Sequence, residues 1–327
     1  VSKTAPLLDL RQRDPALQRA LRPLDEVGGR AAIAGLLPAA AAVLLPSLLA
    51  RAPGGKIILL VPGERESEPF RGDLEFTASV IAGAKVRLFP SLEADPYQEM
   101  TPHLQVACDR VEALRALREP GNAIVVVPVR ALIYPLALPG IFDVLTFDLR
   151  AGQAMRPDDL SQALLAAGYE RADLVESAGE FSRRGGVMDL WPPDAALPLR
   201  VEFWGEEIET LRRFDPGTQR SGETLGFARI GPVREYPWDP SARDRLRRAL
   251  ETRRASRRGH AAVLRGDDLA EKIEALASGR DFPGFEACLR LVEKETATLF
   301  DYAPRALVCA WEPSKVLSEL EAVYVEM

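Results

Sequence analysis

Two short unbroken apolar runs constrain this chain more than any other feature. Ile57 to Val61 reads IILLV and Ile124 to Val127 reads IVVV, and a proline follows each, Pro62 and Pro128. A strand with one solvated face alternates apolar and polar residues, so uninterrupted runs of this length predict strands buried on both faces of a parallel sheet. Parallel strands need a crossover connection. Leu104, Ala107, Val111, Leu114 and Leu117 recur at helical spacing between the two runs and predict that helix. From about Arg30 to Phe147 the fold class is therefore α/β.

The texture changes near Asp148. A helix is predicted with Pro157 at its start, Asp158 and Asp159 in its first turn and Gly168 at its end. Turn signals then come in quick succession, at Gly185-Gly186, Pro192-Pro193, Pro198, Gly205 and Asp215-Pro216-Gly217. The segments between them, Val187 to Trp191, Leu199 to Trp204 and Glu207 to Phe214, read as antiparallel strands. Residues 148 to about 231 are thus predicted to form a small α+β domain. Helical segments return from Pro232 and lead to the apolar run Ala306 to Ala310. Read as a further strand of the first sheet, that run makes the middle domain an insertion.

At 327 residues the chain exceeds one core and suffices for two or three domains. Its longest apolar stretch, Ala31 to Ala50, is interrupted by Gly35, Pro38 and Pro46, so no membrane-spanning helix is expected. Cys108, Cys288 and Cys309 are scattered without a CxxC pair, which points to reduced thiols in the cytoplasm. His103 and His260 lie away from them, leaving little material for a zinc site or a histidine-based triad. No metal, cofactor or catalytic residue is expected. A net charge of −6 excludes a broadly basic nucleic-acid binder. Eight arginines nevertheless fall between Arg243 and Arg258, on a helix opened by Asp239 and Pro240 with Leu246, Ala249 and Leu250 on one face. The main reading is a solvated face opposite a buried stripe; the alternative is a phosphate-contacting face.

One segment carries a resemblance. Gly179 to Ser221 reads GEFSRRGGVMDLWPPDAALPLRVEFWGEEIETLRRFDPGTQRS. It is similar, nearly position by position, to the signature of domain 2 in UvrB and in the bacterial transcription-repair coupling factors. Over almost the whole chain the resemblance is to the N-terminal UvrB-like 1a–2–1b module of the coupling factor family. It implies domain 1a at residues 1–147, with a degenerate P-loop-type sheet, domain 2 at 148–231, and domain 1b at 232–327 completing the first.

Departures from UvrB itself favour the coupling factors. An ATP site of this class needs a glycine-rich loop, a Lys on the phosphates and a Ser or Thr on magnesium. The matching eight residues here run from Gly35 to Ala42, with Ala41 where the Lys belongs and Ala42 where the hydroxyl belongs. Pro38 also lacks an N–H for a phosphate. A strand-end Asp-Glu pair should hold magnesium and polarise water. Trp311 and Glu312 stand there instead, after Leu307 to Ala310. UvrB carries a long aromatic-rich hairpin where this chain has only the short stretch Pro90 to Tyr97.

In the family, domain 2 binds UvrA through two arginines and an aromatic residue. Carried over by motif, these are Arg184, Arg200 and Trp204, with Arg183 and Arg220 as candidate neighbours. Independently of the family, Arg200, Glu202 and Trp204 share one face of a strand while Val201 and Phe203 share the other, which should turn inward. Glu180, Asp189 and Asp215 are expected to fix turns or pair with arginines. The resemblance implies a non-catalytic module that recruits UvrA to RNA polymerase stalled at damage. Polymerase and DNA would be contacted by parts further along a longer protein, of which this chain, opening at Val1, is expected to be an N-terminal fragment. Two alternatives remain: a UvrB-type ATP-dependent helicase, and a DNA-binding module using the Arg243–Arg258 helix.

Overall fold

Both apolar runs form buried parallel strands. The computed structural model describes residues 14–26, 28–92, 100–255 and 266–326. The main helices are α1 (Pro15–Leu21), α2 (Pro38–Leu48), α3 (Glu64–Ala82), α4 (Leu104–Arg118), α5 (Pro157–Ala166), α6 (Pro240–Ala255), α7 (Gly266–Ala277) and α8 (Pro313–Glu326). The strands are β1 (Lys56–Val61), β2 (Lys85–Leu88), β3 (Ala123–Pro128), β4 (Phe147–Arg150), β5 (Glu170–Arg171), β6 (Glu180–Arg184), β7 (Val187–Leu190), β8 (Leu199–Trp204), β9 (Glu207–Phe214), β10 (Ser221–Leu225), β11 (Phe227–Ile230) and β12 (Leu307–Ala310). Contacts divide the chain into two units, one of residues 1–91, 113–133 and 299–327, the other of residues 92–112 and 134–298.

The first unit is built on a four-stranded parallel sheet in the order β12-β1-β3-β2. Every residue of β3 is buried, and so is every residue of β1 except the half-buried Leu60. The run at 306–310 does return to this sheet, pairing Ile57 with Leu307 through Leu60 with Ala310. The fold is α/β, with an α+β domain inserted along the chain between β3 and β12. One connection differs from the sequence expectation. The helix at 104–118 leads from β2, not β1, into β3, because β2 and α3 intervene. In β2 the charged Lys85 and Arg87 alternate with Val86 and Leu88, so it lacks the continuous apolar run that marks its neighbours.

Local chemistry explains the ends of these elements. α2 starts with Pro38 at its first position, where a missing N–H is harmless. α3 ends at Gly83, whose φ of +56° suits glycine, and the Ala84 N–H donates to the Ala78 carbonyl at 3.1 Å. Lys56, buried at the start of β1, donates to the carbonyls of Ala116, Glu119 and Gly121 at 2.6, 2.7 and 2.7 Å. Its ammonium thus satisfies orphan carbonyls at the end of α4, while burial holds its pKa below the ordinary lysine value.

The second unit contains a six-stranded sheet in the order β10-β9-β8-β7-β6-β5, antiparallel except for β5 with β6. β4 and β11 form a separate antiparallel pair. Leu160 and Leu164 of α5 pack on Phe181, Met188, Leu190, Val201 and Leu211 from the inner sheet face. A second core joins Leu246 and Leu250 of α6 to Trp238, Leu276 and Phe285, with the Trp238 and Phe285 rings stacked at 4.2 Å.

Arg110, Glu235, Lys272 and Glu286 are buried charged side chains of this unit. Arg110 is fully buried and donates through Nε and Nη2 to the two carboxylate oxygens of Glu235, the latter bond at 3.3 Å. Glu286 is also buried, with Arg234 Nη1 4.0 Å from its Oε1. Burial outweighs that cation and pushes the Glu286 carboxyl up to about 7. No described helix is long and apolar enough to cross a membrane.

Candidate functional site

The alternation on β8 sets up the candidate surface. Leu199, Val201 and Phe203 are buried, Arg200 and Glu202 are half-buried, and Trp204 is 79% exposed. The β strand period therefore sends Arg200, Glu202 and Trp204 outward. The tight turn at Gly205, with φ of +63°, follows immediately and leaves the indole at the strand end. A large aromatic side chain so exposed has lost nearly all of its burial energy in this structure, which marks a surface that gains by being covered.

Arg200 is held in place. Nε and Nη2 donate to Asp189 Oδ1 and Oδ2 at 2.7 and 2.8 Å, a forked pair across the β7–β8 ladder. Nη1 donates to the Gln219 carbonyl at 3.2 Å and to Ser221 Oγ at 3.3 Å. The guanidinium lies 4.6 Å from the centre of the Phe214 ring. The Asp189 hydrogen bonds raise its pKa above the ordinary arginine value. Glu202 does not pair with Arg200; it accepts from the Thr210 hydroxyl on β9.

The other carried-over residues separate by face. Arg184 is exposed at the end of β6 and donates to the Asp173 carbonyl at 2.7 Å. Arg183 pairs in register with Met188, on the inner-face side, and its guanidinium bonds to Asp158 in the first turn of α5. It therefore does not share the surface of Arg200 and Trp204. Arg220 is exposed on the turn before β10, and its carbonyl accepts from the Asp215 N–H at 3.0 Å. That turn is shaped by Asp215, which accepts from the N–H and hydroxyl of Thr218 at 2.7 and 2.9 Å, and these bonds hold its carboxyl below the usual range. Glu180 plays the same part upstream, accepting from the N–H groups of Glu176 and Ser177. Sequence reasoning missed Phe214 beneath Arg200, and Arg212, which lies directly across from Arg200 on β9. Both follow only from strand register.

The nucleotide-like frame of the first unit is packed with side chains. Gly35 has φ of +74°, and α2 begins three residues later at Pro38. Ala41 and Ala42 are 2% and 0% exposed and belong to the main apolar core. Trp311 packs against the same core, its ring edge-on to Phe70 at 5.1 Å. Glu312 adopts φ of +49° and accepts from Lys315 Nζ at 2.9 and 3.0 Å. Where a phosphate site of this class needs a lysine and a hydroxyl, the frame carries two alanines turned into the apolar core.

The described part of the arginine-rich helix is laced with acids. Arg243 pairs with Asp281 at 2.7 Å, Arg245 with Glu293 at 3.0 Å, Arg247 with Asp244 and Glu251 at 2.6 Å, and Arg248 with Asp244 at 2.7 Å. Ala242, Leu246 and Leu250 form the buried stripe. Arg257, Arg258 and His260 lie outside the described residues, as do residues 93–97 of the short stretch where UvrB has its hairpin.

Comparison with known proteins gives the family of this chain. Residues 147–236 match the UvrB interaction domain family. The transcription-repair-coupling factor of Haemophilus influenzae is 31% identical over 227 residues, 69% of this chain and 19% of that protein. That of Mycobacterium tuberculosis is 31% identical over 327 residues, 95% of this chain and 25% of that protein. The UvrABC system protein B of Chlorobaculum tepidum is 33% identical over 171 residues, 51% of this chain and 25% of that protein. The chain thus spans a quarter or less of the length of these curated relatives. Residues 147–236 are a UvrB interaction domain, and the chain is a UvrB-like module of the transcription-repair coupling factor family.

Proposed function

We propose that this chain is a non-catalytic docking module that recruits UvrA to RNA polymerase stalled at damaged DNA, in nucleotide excision repair in the cytoplasm. The docking role falls to domain 2, residues 148–231, within the 1a–2–1b arrangement expected from the resemblance. The observation that carries the reading is Trp204, 79% exposed on the outward face of β8 that Arg200 shares. Trp and Arg dominate the residues on which binding energy concentrates, because they combine large apolar area with directed donors. Arg184 on β6 extends the contact surface. Contacts to RNA polymerase and DNA belong to other parts of the longer relatives.

Burial of Ala41 and Ala42, and the packing of Trp311 on Phe70, argue against an ATP-driven helicase. The ion pairs along α6 argue against that helix as a primary DNA-binding face, since its arginines already face carboxylates. Calorimetry of the chain against purified UvrA tests the proposal, with Trp204→Ala as the paired variant. Saturable binding by the wild type that is lost in a folded Trp204→Ala chain is the expected result. No heat of binding with the wild type would overturn it. A fluorescent ATP analogue titrated in parallel should give no saturable signal, and saturation would revive the helicase reading.

A further inference from the structure

We propose that Asp189 is a positioning residue of the docking face, fixing the Arg200 guanidinium in the one orientation it can present to a partner; this rests on the docking reading above. A guanidinium has five N–H donors in a planar fork. Asp189 takes two of them, and the Gln219 carbonyl and the Ser221 hydroxyl take two more. The plane of the group is set as well, because one face covers the Phe214 ring at 4.6 Å. What Arg200 offers outward is therefore its opposite face and a single Nη2 proton.

The neighbourhood explains why an acid is needed at position 189. Arg212 stands directly opposite Arg200 on the other side, so β8 carries its arginine between a carboxylate and a second guanidinium. Like charges directly across a ladder repel. Without the Asp189 charge, Arg200 would be driven off Phe214 and away from the Gln219–Ser221 turn. Arg200 and Trp204 lie four residues apart on one strand face, about 13 Å at the usual strand rise. A partner covering both must find them at a fixed separation, and a long side chain immobilised beforehand loses less freedom on binding. The side chains of Arg200 and Asp189 are only 18% and 14% exposed, so the fork is sheltered from competing water.

The test has one arm without a partner and one with it. In the free protein, exchange of the Arg200 Nε–H with water is followed by side-chain NMR, the signal being assigned by its loss in Arg200→Ala. Wild-type Arg200 should exchange at least about tenfold more slowly than exposed Arg184, as two charge-assisted bonds imply, and Asp189→Asn should erase the difference. Equal exchange of Arg200 and Arg184 in the wild type would overturn the proposal without any variant needing to fold. In the second arm, Asp189→Asn should weaken UvrA binding about three- to tenfold in the wild-type background, the loss expected for re-immobilising one long side chain, and not at all in an Arg200→Ala background. An equal loss in both backgrounds would assign Asp189 to the fold alone and overturn its positioning role. If wild-type chain binds no UvrA while Arg200 remains protected, the docking reading fails and the proposed role for Asp189 in docking fails with it, leaving only the held side chain.

Discussion

Replacing Glu286 by glutamine measures how strongly the second unit resists a buried charge. Glu286 is 8% exposed, and burial lifts its carboxyl from 4.5 to about 7 despite Arg234 4.0 Å away. An acid that holds its proton more firmly when folded stabilises the fold fully below its unfolded value near 4.5. That contribution fades as pH climbs and is gone above about 7. The lift corresponds to about 3 kcal/mol in all, of which about 2–3 kcal/mol is lost between pH 5 and pH 8. Glu286→Gln preserves the shape and abolishes the titration. Relative to wild type, the variant should therefore gain about 2–3 kcal/mol on going from about pH 5 to about pH 8. Equilibrium urea denaturation of both proteins across that range, read by tryptophan emission and circular dichroism together, gives the difference directly. A difference that stays flat with pH, or falls as pH rises, would refute the argument.

Three further outcomes follow from particular contacts. Arg110→Met leaves Glu235 buried without its cation and should destabilise the chain by about 3–5 kcal/mol in urea, whereas the double change Arg110→Met/Glu235→Leu should recover most of that loss. Gly168→Ala forces a side chain into a φ of +90° and places its Cβ 2.6 Å from Arg234 Cγ, so a loss of about 1–3 kcal/mol is expected by thermal denaturation. Trp204→Ala removes an exposed side chain and should leave stability within about 0.5 kcal/mol. The same variant should bind UvrA more than about thirtyfold more weakly by calorimetry, as loss of a central aromatic anchor implies.

What could be read from sequence was local. β1 and β3 announce themselves because burial on both faces requires unbroken apolar runs, and β8 and β9 because turn residues bracket an alternating pattern. Glu180 and Asp215 fix turns, and Asp189 pairs with an arginine, since short carboxylates serve nearby donors. What could not be read was set by pairing between distant segments. Arg110 and Glu235 stand 125 residues apart, and nothing in either neighbourhood names the other. Arg183 and Arg184 look interchangeable in sequence, yet the two-residue strand period sends them to opposite faces. Strand β2 hid for the opposite reason: Lys85 and Arg87 break its apolar run while Val86 still packs in the core.

The methyl groups of Ala41 and Ala42 also bear on how such a sequence can change over time. A lysine at position 41 would put an ammonium into a site that is 2% exposed, in the apolar core that also holds Phe70, at a penalty of several kcal/mol. An aspartate at 311 would strip an indole from the same cluster and leave a void beside Phe70. Each step toward a phosphate site thus begins by weakening the core, before any other step could reward it. Mutational paths toward nucleotide binding that begin at Ala41 or Trp311 start downhill in stability. Lineages carrying this packing are confined to a valley of their own, because the apolar core that fills the frame cannot be opened one residue at a time without cost.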